Sequence, residues 1–260
     1  MKCPAEQWTW LTAHCYLEGN ADAVEFCPHD GYQNVLAAST YTLKEGEQPN
    51  RVGSISLFDV NAGNLELFHR VDTAGIFDIK WSSVGSSARP LLAQADADGY
   101  LRLYSLEGCS KEEKPRDSNG STNADYPMSL GKQTACLLCC SIHVFMLFDA
   151  WDLRSISRPV NEASVCLGGG VWRIKHHPFV SDLVLAACMH NGFAIVKIGD
   201  LKPEVVEAYN QHGSLADGAD WQRAKILPGG KTKSTTVATC SYHDRLLRLW
   251  MLKSDNICCI

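Results

Sequence analysis

What this 260-residue sequence lacks narrows it first. It has no uninterrupted apolar run long enough to cross a bilayer as a helix. Residues Met1 to Trp10 carry one Lys and no apolar core, so no secretory leader is expected there. Basic charge is not in excess: the formal net charge is -5, where nucleic-acid-binding domains usually carry a basic stripe. There is no Gly-x-Ser-x-Gly elbow, which excludes the α/β-hydrolase solution to ester chemistry, and no His-Glu-x-x-His metal helix. Cys258-Cys259-Ile260 places no Cys four from the end, so no prenylation box is read. The expectation is a cytoplasmic chain with neither a membrane nor a direct nucleic-acid partner.

Cysteine is the one residue present in unusual number, at 12. Cys136, Cys139, Cys140, Cys166, Cys188 and Cys240 lie inside apolar runs, where a reduced thiol behaves as a small core hydrophobe. Cys136-x-x-Cys139 is the one tight spacing, and a structural zinc site needs a second ligand pair. His143 is close, but no further pair follows it. No metal and no cofactor are assigned. An apolar share of 45% and a charged share of 20% fit an ordinary globular protein, and the length suits one large all-β domain.

The chain repeats. Gly53 to Asp59, Gly99 to Ser105, Phe148 to Asp152, Gly192 to Lys197 and Asp244 to Trp250 are similar strand-like endings, recurring roughly every 43–52 residues. A strand rich in small residues precedes four of them: 35–39, 91–95, 183–188 and 237–241. Ahead of these come Ala23 to Pro28, Ile76 to Trp81 and Val171 to His176, each alternating with period two. Asn191-Gly192 between two apolar runs predicts a tight hairpin whose central residues need positive φ. Trp151-Asp152 is the WD dipeptide, and Leu249-Trp250 its near equivalent. Together these predict an all-β WD-repeat β-propeller, a single domain over 1–260 with about five recognisable blades.

One region breaks the pattern. Residues 107–134 are polar and read as an inserted or disordered loop. Residues 135–148 are almost wholly apolar and lack the polar turns that separate strands elsewhere. A blade is truncated or missing around 107–148. The sequence reads either as a shortened product of a longer protein or as a genuinely shorter propeller, and the first reading is preferred.

Three stretches are unlike ordinary WD repeats: Gly168-Gly-Gly-Val-Trp-Arg173, Ala186-Ala-Cys-Met-His-Asn-Gly192, and His212-Gly-Ser-Leu-Ala-Asp-Gly-Ala-Asp-Trp221. In these the chain resembles the diphthine methyl ester hydrolase family of WD-repeat proteins, also called diphthine methyltransferase. The resemblance is close over 164–250 and weaker over 8–106, and the family has a further blade where 107–148 departs. It implies hydrolysis of the methyl ester of diphthine on a histidine of translation elongation factor two, releasing methanol. An ATP-dependent amidase then completes diphthamide. The protein substrate would be the elongation factor, the enzyme a monomer without a cofactor.

Ester hydrolysis needs an activated nucleophile or water, a proton acceptor and donors for the oxyanion. The candidates are His190, beside the Asn-Gly turn, His212 and Ser214, two apart and facing one way, and Asp220 just beyond with Asp217. A His-Ser pair oriented by an Asp suits a serine-type esterase, and a His-Asp pair suits direct water activation. The rival reading is structural: in WD repeats a His near the start of a blade, an Asp at a turn, a strand Ser or Thr and a Trp hydrogen-bond to hold the blade. Trp172 and Trp221 read as packing residues, and Arg173 as a surface residue able to pair with acidic groups. A non-catalytic scaffold that recruits the elongation factor or the amidase is the alternative function.

Overall fold

Short alternating segments punctuated by turn residues dictate strands, and the described chain is all β, with no helix. The computed structural model describes residues 10–83, 89–106, 138–142, 147–152, 160–198, 202–223 and 235–252. The expected insertion at 107–134 and Cys136 lie outside them, as do the side chains of Cys139 and Cys140.

The first strand, β1 (Trp10–Tyr16), precedes a five-stranded sheet of β2 (Ala21–Phe26), β3 (Val35–Thr40), β4 (Thr42–Lys44), β5 (Asn50–Asn61) and β6 (Asn64–Ala74). Its order is β2-β3-β5-β4, with β6 also on β5. A three-stranded sheet follows, β7 (Ile76–Trp81), β8 (Leu91–Asp96) and β9 (Leu101–Ser105). Another three-stranded sheet contains β10 (Leu138–Ile142), β11 (Leu147–Asp152) and β12 (Val160–Cys166). A four-stranded sheet takes β13 (Arg173–His176), β14 (Leu183–Ala187), β15 (Phe193–Ile198) and β16 (Pro203–Tyr209). The last has β17 (Ala216–Trp221), β18 (Thr235–Ser241) and β19 (Leu246–Leu252), and β1 supplies its fourth strand. That pairing runs antiparallel from Trp10 opposite Met251 to Tyr16 opposite Leu246. Every ladder is antiparallel, an architecture consistent with a β-propeller.

The five repeated endings fall on β5, β9, β11, β15 and β19. Buried small residues fill the strands beside three of them: Ala37 and Ala38 on β3, Ala186 and Ala187 on β14 and Ala238 on β18 are fully buried, whereas Ala95 on β8 is exposed. The core lies between sheets. Val24, Phe26, Leu36 and Phe58 pack on Ala238, Leu247 and Leu249. Leu183, Leu185, Phe193 and Ile195 meet Trp221, Val237 and Trp250. Ile55 and Leu57 meet Ile76, Ile79 and Trp81. Each aliphatic or Phe side chain so buried contributes roughly 1.5–3 kcal/mol. In the sheet of β10, β11 and β12 no strand lies on the free side of β10 among the described residues.

The Asn191-Gly192 hairpin forms between β14 and β15, but its turn differs from the expected two-residue type. Positive φ falls on Met189 (44°) and Gly192 (69°), and Asn191 N donates to Cys188 O at 2.8 Å. Tertiary contacts decide this: Ala216 N donates to Met189 O at 2.8 Å, and Asn191 Nδ2 to Leu167 O at 2.6 Å. Gly192 is required, since φ is 69° and a Cβ there would lie 2.7 Å from the backbone Tyr209 O. Cys188 and Cys240 are buried as expected, whereas Cys166 is exposed on β12. Burial pushes the Cys188 thiol up to about 12, so it stays protonated and inert.

Candidate functional site

The first strands of four sheets pack around one another: β2 lies between β17 and β7, and β13 lies against β17. Three of them carry a bulge at the same place. Register shifts fall between Ala21 and Ala23, Ile76 and Asp78, and Ala216 and Gly218, leaving Asp22, Phe77 and Asp217 as the extra residues. Trp172 takes the corresponding place before β13, its N–H donating to Ala187 O at 2.8 Å. Gly218 permits the closest approach, because a Cβ there would lie 2.8 Å from Val24 N and 2.6 Å from Cys240 Sγ.

Two layers of charge result. In one, the fifth positions of β2, β17 and β7 supply Glu25, Asp220 and Lys80, and the third position of β13 supplies Lys175. Glu25 pairs with Lys80 and, at 3.4 Å, with Lys175, while Lys175 lies 3.8 Å from Asp220. The carboxylates also tie strands together: Asp220 Oδ2 accepts from Phe26 N at 2.8 Å, and Glu25 Oε2 from Trp81 N at 3.0 Å. Trp221 Nε1 and Trp81 Nε1 donate to Lys175 O and Glu25 O at 3.0 and 3.1 Å. Two acids against two bases, with oxygens engaged, make a structural ring.

The other layer is chemically unsettled. It holds Asp22, Asp217, Asp78 and Arg173, three carboxyls against one guanidinium. Arg173 Nη1 bonds Asp78 Oδ1 at 2.5 Å, linking β13 to β7, and its side chain is half-buried rather than at the surface as expected. Asp22 and Asp217 are only 9% and 8% exposed, and Asp22 Oδ2 and Asp217 Oδ1 have no hydrogen-bond partner among the described residues. Burial pushes the Asp22 carboxyl up to about 8, helped by the Asp217 charge and opposed by Arg173. Burial likewise pushes Asp217 up to about 7, with Arg173 and the Trp172 indole working against it. The layer is open on one side: Phe77 and Trp172 are half exposed, and Tyr41 packs on Phe77 with ring centroids 5.2 Å apart.

The residues expected from sequence do not converge. His190 is exposed at the turn. Ser214 Oγ accepts from His243 N at 2.9 Å. His212 is wedged in the last sheet, Nδ1 2.5 Å from Ser241 Oγ and Nε2 2.9 Å from Thr239 Oγ1. Ser241 Oγ donates to Asp244 Oδ1 at 2.5 Å, and Trp250 Nε1 to Thr239 Oγ1 at 3.2 Å. That is the blade-holding network of the rival reading, with Ser241 and Thr239 in place of Ser214. No hydrogen bond or ion pair among the described residues joins any two of His190, His212, Ser214 and Asp220. Asp217 alone of the residues weighed beside them stands in the open layer. Asp22 has no signal in the sequence, because the bulge that brings it there is invisible to a period of two, whereas Arg173 does pair with an acidic group as expected. Among the described residues no three His, Cys, Asp or Glu are placed to hold a metal ion.

No protein-family model matches the chain. It is similar to the diphthine methyltransferase of Mus musculus, 27% identical over 325 aligned positions covering 78% of this chain and 68% of that protein. The diphthine methyltransferase of Homo sapiens is 24% identical over 78% of this chain and 73% of its own length. A diphthine methyltransferase homolog of Dictyostelium discoideum is 35% identical over 39% of this chain and 28% of its own. The Mus musculus alignment, at 325 positions, is longer than these 260 residues, so that protein has stretches with no counterpart here.

Proposed function

The chain belongs to the diphthine methyltransferase family, and from that premise we propose that it acts in diphthamide biosynthesis, hydrolysing the methyl ester of diphthine on translation elongation factor two. The observation that carries the chemistry is the open layer, where two buried carboxyls with free oxygens face a guanidinium. Ester hydrolysis needs a proton acceptor beside water and a positive group beside the carbonyl oxygen, and this layer has both. In this reading the five sheets are blades of a WD-repeat propeller, β1 closes the ring, and the protein works as a cytoplasmic monomer without a cofactor. The stretch around 107–148, where the sequence expects a lost blade, is where the relatives' extra positions belong.

The test is mass spectrometry of methyl-ester elongation factor incubated with the purified chain. Hydrolysis removes the mass of one methylene and releases methanol, whereas methyl transfer onto the substrate adds that mass. An unchanged mass, with stable binding to the elongation factor, establishes the second reading, a non-catalytic scaffold. The saturated His212 network and the engaged Asp220 favour that second reading over a serine-type esterase.

A further inference from the structure

We propose that Asp22 and Asp217 form a proton-sharing carboxyl pair that activates water, with Arg173 set against the carbonyl oxygen of the bound ester. This rests on the esterase reading above and assigns its catalytic residues.

Geometry carries the assignment. Both aspartates are the extra residues of matching bulges on strands that pack side by side, which turns their carboxyls into one buried space. Each keeps an oxygen without a partner, the state of a group that awaits a ligand or substrate. The groups facing the pair are Asp78 from β7, Arg173 from β13 and Trp172 just before it, Cys240 from β18 and Tyr242 just beyond it. Two like charges in a poorly solvated space do not both ionise, so the pair retains a proton around neutral pH. One member is then a base and the other an acid.

The step balances. The water oxygen bonds to the ester carbon while one water proton passes to the ionised carboxylate, and the carbonyl oxygen gains negative charge facing Arg173. The carbon–methoxy bond then breaks, and the protonated member gives its proton to the departing methoxide. Methanol and a carboxylic acid leave. The pair again holds one proton, on the other member, ready for the reverse assignment of roles in the next turnover. The half-exposed Phe77 and Trp172 flank the opening and fit a side chain presented by a protein substrate.

Asp22→Asn and Asp217→Asn should each lower the rate of methanol release by about 100-fold or more, with unchanged affinity for the elongation factor, and the double variant should be no slower than the worse single. A second readout does not depend on activity. Each carboxyl has a folded pKa above its unfolded value of 3.8, so its contribution to stability is fully present below that value and is lost as pH rises through about 7–8. The wild-type melting temperature should therefore fall as pH rises from about 4 to about 8 and level off above that, and either Asn variant should flatten the fall and melt higher at the alkaline end. Asn variants within threefold of wild-type rate, beside an active wild type, overturn the pair and leave the esterase reading standing. A wild type that releases no methanol overturns the esterase reading and the hydrolytic role with it. A flat melting profile, or Asn variants that melt lower at alkaline pH, overturns the shared proton.

Discussion

His212 touches two hydroxyls and two aromatic rings, and the whole setting favours a neutral imidazole. Burial pushes it down to about 4 despite the nearby Asp244 charge, and His177, set edge-on against Trp221, is pushed down equally by burial. Each therefore has a folded pKa below its ordinary 6.5: stability is fully present above that value and is lost as pH falls towards 4, because the unfolded chain binds the proton first. His212→Gln should narrow the gap in denaturant midpoint between pH 7 and pH 5 relative to wild type. His212→Ala should cost about 2 kcal/mol at pH 7, since it leaves Thr239 and Ser241 each one partner short in a buried site, and should slow hydrolysis only as far as it unfolds the chain. Urea titrations at both pH values, alongside methanol release normalised to folded protein, check this. The sequence already offered both a catalytic and a structural role for this histidine. It did not show that Ser241, rather than Ser214, stands beside the ring, since that depends on which strands pair.

Among the elements, the strands were the more legible part. Repeated endings and turn residues located β5, β9, β15 and β19 to within a few residues, because each repeat must form a similar set of strands. Bulges escape that logic: one extra residue on each of β2, β7 and β17 re-aims a side chain without changing composition. Asp22 thus passes in sequence for an ordinary polar position and Arg173 for a surface residue, though they share one layer with Asp217, which the sequence does place beside the candidates. Gly218 is the linchpin of that layer. Gly218→Ala should cost about 1–3 kcal/mol by forcing β17 away from Val24 and Cys240. It should also lower kcat in the fraction that remains folded, because Asp22 and Asp217 move apart with the strands. Thermal melting beside single-turnover hydrolysis separates the two effects.

At the scale of the whole molecule, four of the sheets share their core pairwise, so none of these is stable without a neighbour to cover its faces. β1 completes the last sheet from the far end of the chain and covers the edge of β19. Removing Trp10–Tyr16 should bare that edge, lower the melting temperature by several degrees and promote association through the unpaired strand. Light scattering shows it, and a synthetic peptide of the β1 sequence added in excess should reverse it. The same arrangement sets a timetable for assembly. Trp10–Tyr16 is made long before its partner Leu246–Leu252. Until that partner emerges β1 is a strand without a ladder, and the last sheet is complete only when β19 captures it across a very long sequence separation. Anything that binds β1 in the interval holds that sheet open, so the docking of this strand is an interruptible step in making the protein.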